Sequence, residues 1–233
     1  AVGTGLNTAP GYRRLVVKHI NEITGKEFRN PPDFFEAMAS FDAIVEVSGA
    51  IRVLLTSLKK IADDLRLLAS GPRTGFYEIV LPAVQPGSSI MPGKVNPVLA
   101  EMLNMVVSHC MGLDAAIVHA SQAGQLELNV MMPVIAFDLL QLIQVASGGI
   151  EAFTDKCVAG IAANEEICRR FAEKSPALAT ALNVKIGYAE AAKIAKEAMA
   201  KDELIRDLVR EKGLLTDTEI ADLLDLRKMT EEP

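Results

Sequence analysis

The sequence predicts an all-α protein: a bundle of long helices over residues 1–160, then a small helical domain over 161–233. Three observations carry this. Half of the 233 residues are apolar, yet only 5% are aromatic and tryptophan is absent, so small and aliphatic side chains must build the core, as in helix-on-helix packing. From Phe34 to Ser70 the chain has no proline and one glycine, Gly49, and repeats apolar residues at helical spacing. Beyond Val98 two more long stretches are apolar almost throughout, the pattern of helices buried in a bundle.

Taken in order, Leu15, Val16, Ile20 and Ile23 place a helix over 12–24, with Gly25 positioned to end it. Pro31-Pro32-Asp33 reads as a start signal for the run to Ser70. A single helix of that length would be on the order of 55 Å long and needs a long partner to bury its stripe. Residues 71–97, with Pro72, Pro82, Pro86, Pro92 and Pro97 among four glycines, cannot be regular helix, and so long an irregular connection in a helical chain is uncommon unless functional. Helix resumes from 98 to about 120, pauses at 121–124 and resumes towards 150, with Pro133 as a kink or early-turn residue. After Gly160 the units shorten to 165–173, 188–200, 203–211 and 217–224, separated by turn residues around Pro176, Asn183, Gly187 and Gly213.

A net charge of −6, with Lys and Arg scattered among Asp and Glu, offers no basic surface for a phosphate backbone, so nucleic acid is not an expected partner. No uncharged apolar run is long enough to imply a spanning helix and no signal segment opens the chain, so no membrane role is expected. Cys110, Cys157 and Cys168 form no CxxC pair, which reads as reduced thiols in a cytoplasmic protein. The opening Ala1-Val2-Gly3-Thr4-Gly5-Leu6-Asn7 lacks an initiator methionine, as though cut from something longer.

The segment that bears chemistry is Gly87-Ser88-Ser89-Ile90-Met91-Pro92-Gly93-Lys94-Val95-Asn96-Pro97. It sets two hydroxyls, an ammonium and a carboxamide among residues that combine hinge freedom with local stiffness. Lys94 offers a point charge for a carboxylate or phosphate, Asn96 offers directed hydrogen bonds, and the N–H groups of a Gly-Ser-Ser turn can form an anion nest. Composition alone fits a surface loop with a solvated lysine equally well. The literal string goes further: it resembles the signature loop of the fumarase/aspartase superfamily. AVGTGLN at the start, ADDLRLLASGP over 62–72, Glu127-Leu128-Asn129-Val130, and TALNVKIGY over 180–188 resemble other parts of those enzymes in the same order.

That resemblance implies a fumarase-type bundle of long helices, assembled as a homotetramer whose active sites draw on three subunits. It implies reversible anti-elimination across the C2–C3 bond of a succinate-like dicarboxylate, giving fumarate and ammonia or water. Ser88 would be the general base, acting as an alkoxide, with Ser89 as its substrate-contacting neighbour. Lys94 and Asn96 would bind a substrate carboxylate, and Glu101 would pair with a histidine from another segment. The family's catalytic-site histidine and its threonine- and serine-rich binding segments lie upstream of Ala1, so the 233 residues alone are expected not to catalyse. No cofactor is implied, and no cluster of residues suggests a metal. His19, His109 and His119 read as structural, and Arg73 as an anchoring ion pair.

Within the superfamily, Glu78-Ile79-Val80-Leu81-Pro82, Val98 and the stretch Ala123 to Met131 are more similar to aspartases, while Met132 departs from both aspartases and fumarases. An aspartate ammonia-lyase is the first reading and a class II fumarase the second. A non-catalytic oligomerisation module and an anion-binding module are the readings from other classes.

Overall fold

In the computed structural model, which describes residues 3–231, the long run after Asp33 is two helices rather than the single one that periodicity predicts. Helix α2, Phe34–Ala39, starts where Asp33 accepts the N–H groups of Phe35 at 2.8 Å and Glu36 at 3.1 Å, a side-chain N-cap. The chain then turns extended at Ser40, and α3 spans Asp42–Leu68, roughly 40 Å at ~1.5 Å per residue. The break has a tertiary cause. Met38 O accepts the Asn129 N–H at 2.9 Å, and Gly124 sits so close to Ala39 that a Cβ there would stand 3.0 Å from its carbonyl oxygen. A loop some ninety residues away thus takes one carbonyl a continuous helix would use and packs against the next, and periodicity carries no trace of it.

Helix α1, Tyr12–Thr24, ends at Gly25 in the left-handed conformation, as the sequence predicts. Of the opening segment, Ala1 and Val2 lie outside the described residues. Helices α4, Val98–Ser121, and α5, Met132–Lys156, pack antiparallel: Val106 meets Gly149, and Cys110 Sγ approaches Leu142 O. Gly149 permits this approach, since a Cβ there would fall 2.9 Å from Val106 Cγ1. Helix α3 runs antiparallel to α4, and Leu55, Ala62, Leu103, Val107, Ile117, Ile135 and Leu142 are buried among them. By length and composition alone α4 and α5 could each cross a membrane. Their inward-facing Asp114 and Asp138 and their packing along one another mark them instead as the centre of a bundle.

Asp114 is nearly inaccessible, and its two oxygens accept Ser48 Oγ and Arg52 Nη1, each at 2.7 Å. A buried carboxylate without partners would oppose folding strongly. With both oxygens engaged it is tolerated, and these contacts can form at only one register of α3 on α4. Asn129, fully buried, donates to Ala120 O and Ser121 O at 3.0 Å and accepts the Met131 N–H at 2.8 Å. It therefore satisfies carbonyls that the end of α4 leaves without helical partners.

The chain divides into two compact units: Ala1–Leu67 with Leu81–Ile161, and Leu68–Val80 with Ala162–Pro233. Residues 68–80, placed by the sequence in the first unit, group with the second because strand β1, Ile79–Val80, pairs antiparallel with β2, Ala162–Ala163. Glu78 O also accepts the Asn164 N–H at 2.9 Å. Helices α6, Glu165–Lys174, α7, Ala179–Ile186, α8, Tyr188–Lys201, α9, Ile205–Glu211, and α10, Asp217–Leu223, surround a core that includes Leu182, Ile194, Leu208, Val209 and Ile220. Helix α7 falls where the sequence predicts a turn around Asn183. Its Thr, Asn, Val and Ile content disfavours helix locally, and burial of Ala179 and Leu182 compensates.

Helix α10 opens on a capping box: Thr216 Oγ1 accepts the Glu219 N–H at 3.3 Å, and Glu219 Oε2 accepts the Thr216 N–H at 3.0 Å. That backbone N–H, followed by Lys185, pulls the Glu219 carboxyl from its ordinary 4.5 down to about 2. The folded group stays ionised where the unfolded one takes up a proton, so its stabilising contribution is full above pH 4.5 and lost as pH falls towards 2. Replacing Glu219 by Gln is expected to lower the thermal midpoint near neutral pH and to flatten its dependence on pH in the acid range. Thermal unfolding followed by circular dichroism at stepped pH checks both.

Candidate active site

The irregular segment ends at Pro97, where α4 begins, so the loop 87–97 is carried on the first turn of a rigid helix. Its neck is closed by contact between backbones. A Cβ on Gly87 would lie 2.0 Å from Lys94 O and 2.6 Å from Lys94 C, so only a residue without one fits. Asn96 Nδ2 donates to Gly87 O at 2.9 Å and locks the same neck from the side. Across the tip, the Lys94 N–H reaches Met91 O at 3.2 Å, with Gly93 at φ +80° making the left-handed turn.

Ser88 is half-buried just inside the neck. Its Oγ accepts two backbone N–H groups, from Ile90 and Met91, each at 3.2 Å. With both lone pairs engaged, the hydroxyl can only donate its own proton outward. Once that proton is lost, the same two donors stabilise the oxyanion, and one lone pair is left to accept a proton from outside. The bonds sit at the long end of the normal range and would shorten on a charged acceptor.

Ser88, Met91, Lys94 and the limb from Ala83 to Gly87 help to line a concavity of about 580 Å³, while Ser89 and Ile90 are exposed and not among its lining residues. The Lys94 ammonium has no carboxylate partner among the described residues, so its charge is available to an anion. One N–H of Asn96 is spent on Gly87, so this residue, expected to bind substrate, first of all builds the loop. Glu101 stands in the first turn of α4, with its N–H on Pro97 O at 3.0 Å and its carboxylate 3.8 Å from Arg66 Nη2. The structure thus brings Ser88, Lys94 and Asn96 together on one neck and hangs Glu101 on the helix that follows.

His19 pairs with Glu22 at 2.8 Å and His119 with Gln122 at 3.1 Å, both along their own helices, while His109 is exposed on α4. Arg73, expected to anchor through an ion pair, is exposed and makes none among the described residues. Burial pushes the Cys110 and Cys157 thiols up, which suits core residues rather than nucleophiles. What sequence reasoning misses is the part played by Gly87 and Arg66. A glycine before a pair of serines reads as hinge freedom, whereas here it permits contact. Arg66 lies within a helix that reads as scaffold.

Residues 1–112 match a family model described as Lyase, and residues 178–231 match one described as Fumarase C C-terminus. Over 99% of its length the chain is 48% identical to aspartate ammonia-lyase of Bacillus subtilis (strain 168), of which it covers 48%. Over 98% it is 46% identical to class II fumarate hydratase of Bacillus anthracis, of which it covers 50%. The fold superposes with a TM-score of 0.91, at 41% identity, on a fumarate lyase:delta crystallin from Brucella melitensis solved bound to cobalt, over 100% of this chain and 50% of that one. The helical fold, the serine loop and these matches place the chain in the fumarase/aspartase family of lyases. It spans about half the length of the curated relatives it matches.

Proposed function

We propose that the chain supplies the proton-abstracting part of a lyase that converts a succinate-type dicarboxylate to fumarate, with L-aspartate as substrate and ammonia as the second product. The observation that carries this reading is Ser88 Oγ beneath two N–H donors, on the same loop as the Lys94 ammonium, which has no carboxylate partner among the described residues. Removing a weakly acidic proton beside a carboxylate builds a second negative charge on that carboxylate. A fixed cation and oriented donors oppose that cost more in the transition state than in the bound substrate. Ser88 is the base, Ser89 and Asn96 contact substrate beside it, Lys94 holds a carboxylate, and Glu101 pairs with a group from another segment. None of these steps calls on a cofactor.

The runner-up is a class II fumarase, which would release water from L-malate. The relatives at 48% and 46% identity do not separate the two, and the preference for aspartate rests on the segments 78–82 and 123–131. We also propose assembly as a homotetramer, in the cytoplasm, with active sites shared between subunits. Phe137, Leu140 and Ile143 are exposed on α5, and Val53, Leu54 and Ile61 on α3, apolar positions of the kind that a further subunit would cover.

The test uses the full-length protein that carries this chain, offered L-aspartate and L-malate separately while fumarate absorbance is followed. Fumarate from aspartate alone is the expected result. Fumarate from malate alone would make the runner-up correct, and fumarate from neither, in a folded sample, would refute both.

A further inference from the structure

We infer that Arg66 is a positioning residue for Glu101, itself paired with Asp63, which Asn104 and Lys59 hold in turn; the inference rests on the reading of Glu101 as part of the lyase site. Near the C-terminal end of α3, two side chains, Asp63 and Arg66, meet the first two turns of α4. Asn104 Nδ2 donates to Asp63 Oδ1 at 2.6 Å, and Lys59 Nζ donates to Asp63 Oδ2 at 2.6 Å. The Arg66 guanidinium spans two carboxylates, one on each helix: Nη1 lies 3.7 Å from Asp63 Oδ1, and Nη2 lies 3.8 Å from Glu101 Oε1.

The contact with Asp63 settles which way the Asn104 amide points, because its nitrogen must face the carboxylate. Lys59 and then Asn104 hold the Asp63 carboxyl below its usual range, so the anchor stays charged. Arg66 is therefore tethered at one nitrogen by its own helix and presents the other to Glu101. Ion pairs as exposed as these, about two-fifths on each side, add little to stability, so stability is a poor account of such an arrangement.

Orientation is the better account. Glu101 sits one turn inside α4 from Pro97, on the element that carries the serine loop, yet its side chain has three rotatable bonds and would sample several rotamers without a second contact. Arg66 engages Oε1 and leaves Oε2 without a partner among the described residues, available to a donor from outside the chain. The two guanidinium nitrogens are fixed relative to each other by a rigid plane, which a lysine cannot reproduce.

The test is a double-mutant cycle in the full-length lyase, comparing R66Q, R66K, E101Q and R66Q/E101Q at saturating substrate. R66Q is expected to lower kcat about tenfold with KM changed by less than about twofold, as misorientation of a site group does. R66K should recover only part of that loss, and R66Q/E101Q should be no slower than E101Q alone. Losses that multiply in the double variant would overturn the inference, as would a silent R66Q beside an impaired E101Q. E101Q at the wild-type rate would remove the site reading of Glu101 and this inference with it.

Discussion

Replacing Ser88 with alanine is expected to lower turnover of the full-length lyase by at least about a thousandfold, the scale lost when a positioned base or its oxyanion site is removed. The variant loses the only atom on the loop that the Ile90 and Met91 N–H groups jointly address. It loses little else. The neck is held by Gly87, Asn96 and the backbone of Lys94, so the loop retains its shape and the thermal midpoint should stay within about 2 °C of the parent, as for a change outside both cores. Steady-state rates and a melting curve on the same sample check this. A variant with more than about a tenth of parental activity would show that proton abstraction does not depend on Ser88.

The second large effect belongs to a residue with no side chain. Gly87→Ala would force a Cβ to within 2.0 Å of Lys94 O and 2.6 Å of Lys94 C. Both obstacles are backbone, so the neck must open, and with it go the Asn96 bond to Gly87 O and the spacing between Ser88 and Lys94. A displacement of about 1 Å at reacting groups costs on the order of a hundredfold, and a loss of at least that size in kcat/KM is expected, again with little change in melting. Gly93→Ala supplies the contrast. Its φ of +80° costs an alanine some strain, but a Cβ there meets nothing within 4 Å, so only a mild loss is expected, on the order of 1 kcal/mol in loop stability. Equal damage from the two substitutions would show that left-handed backbone, not close approach, makes the loop depend on glycine.

Much of this fold is legible in the sequence because it is written locally. Gly25 ends α1, Asp33 begins α2, Pro133 falls in the first turn of α5, and the prolines and glycines of 71–97 exclude helix there. The failures share one physical origin, which is that a distant partner decides the local outcome. The break at Ser40 follows from Asn129 and Gly124. Helix α7 follows from burial of Leu182 rather than from propensity. Residues 68–80 join the second unit because Ile79 and Val80 find Ala163 and Ala162.

The site divides the same way. Ser88, Lys94 and Asn96 are visible as a loop whose groups suit an anion, and the string itself names the family. That Asn96 closes the loop, that Gly87 must be bare, and that Glu101 faces Arg66 are contacts between residues whose spacing carries no signal. The glutamate illustrates this well. From sequence it is an acid in the first turn of a helix, favourable there on dipole grounds alone, and only the antiparallel placement of α3 gives it a cation.

The central claim, that Ser88 is the group that moves the proton, is tested most directly in the reverse direction. Fumarate and ammonium are supplied in D2O to the full-length lyase and to its Ser88→Ala variant, and deuterium at C3 of the aspartate formed is read by NMR. The account predicts one deuterium at C3 with the parent protein and none above background with Ser88→Ala, while the variant still binds fumarate. Deuterium delivered by Ser88→Ala at the parental rate would contradict it.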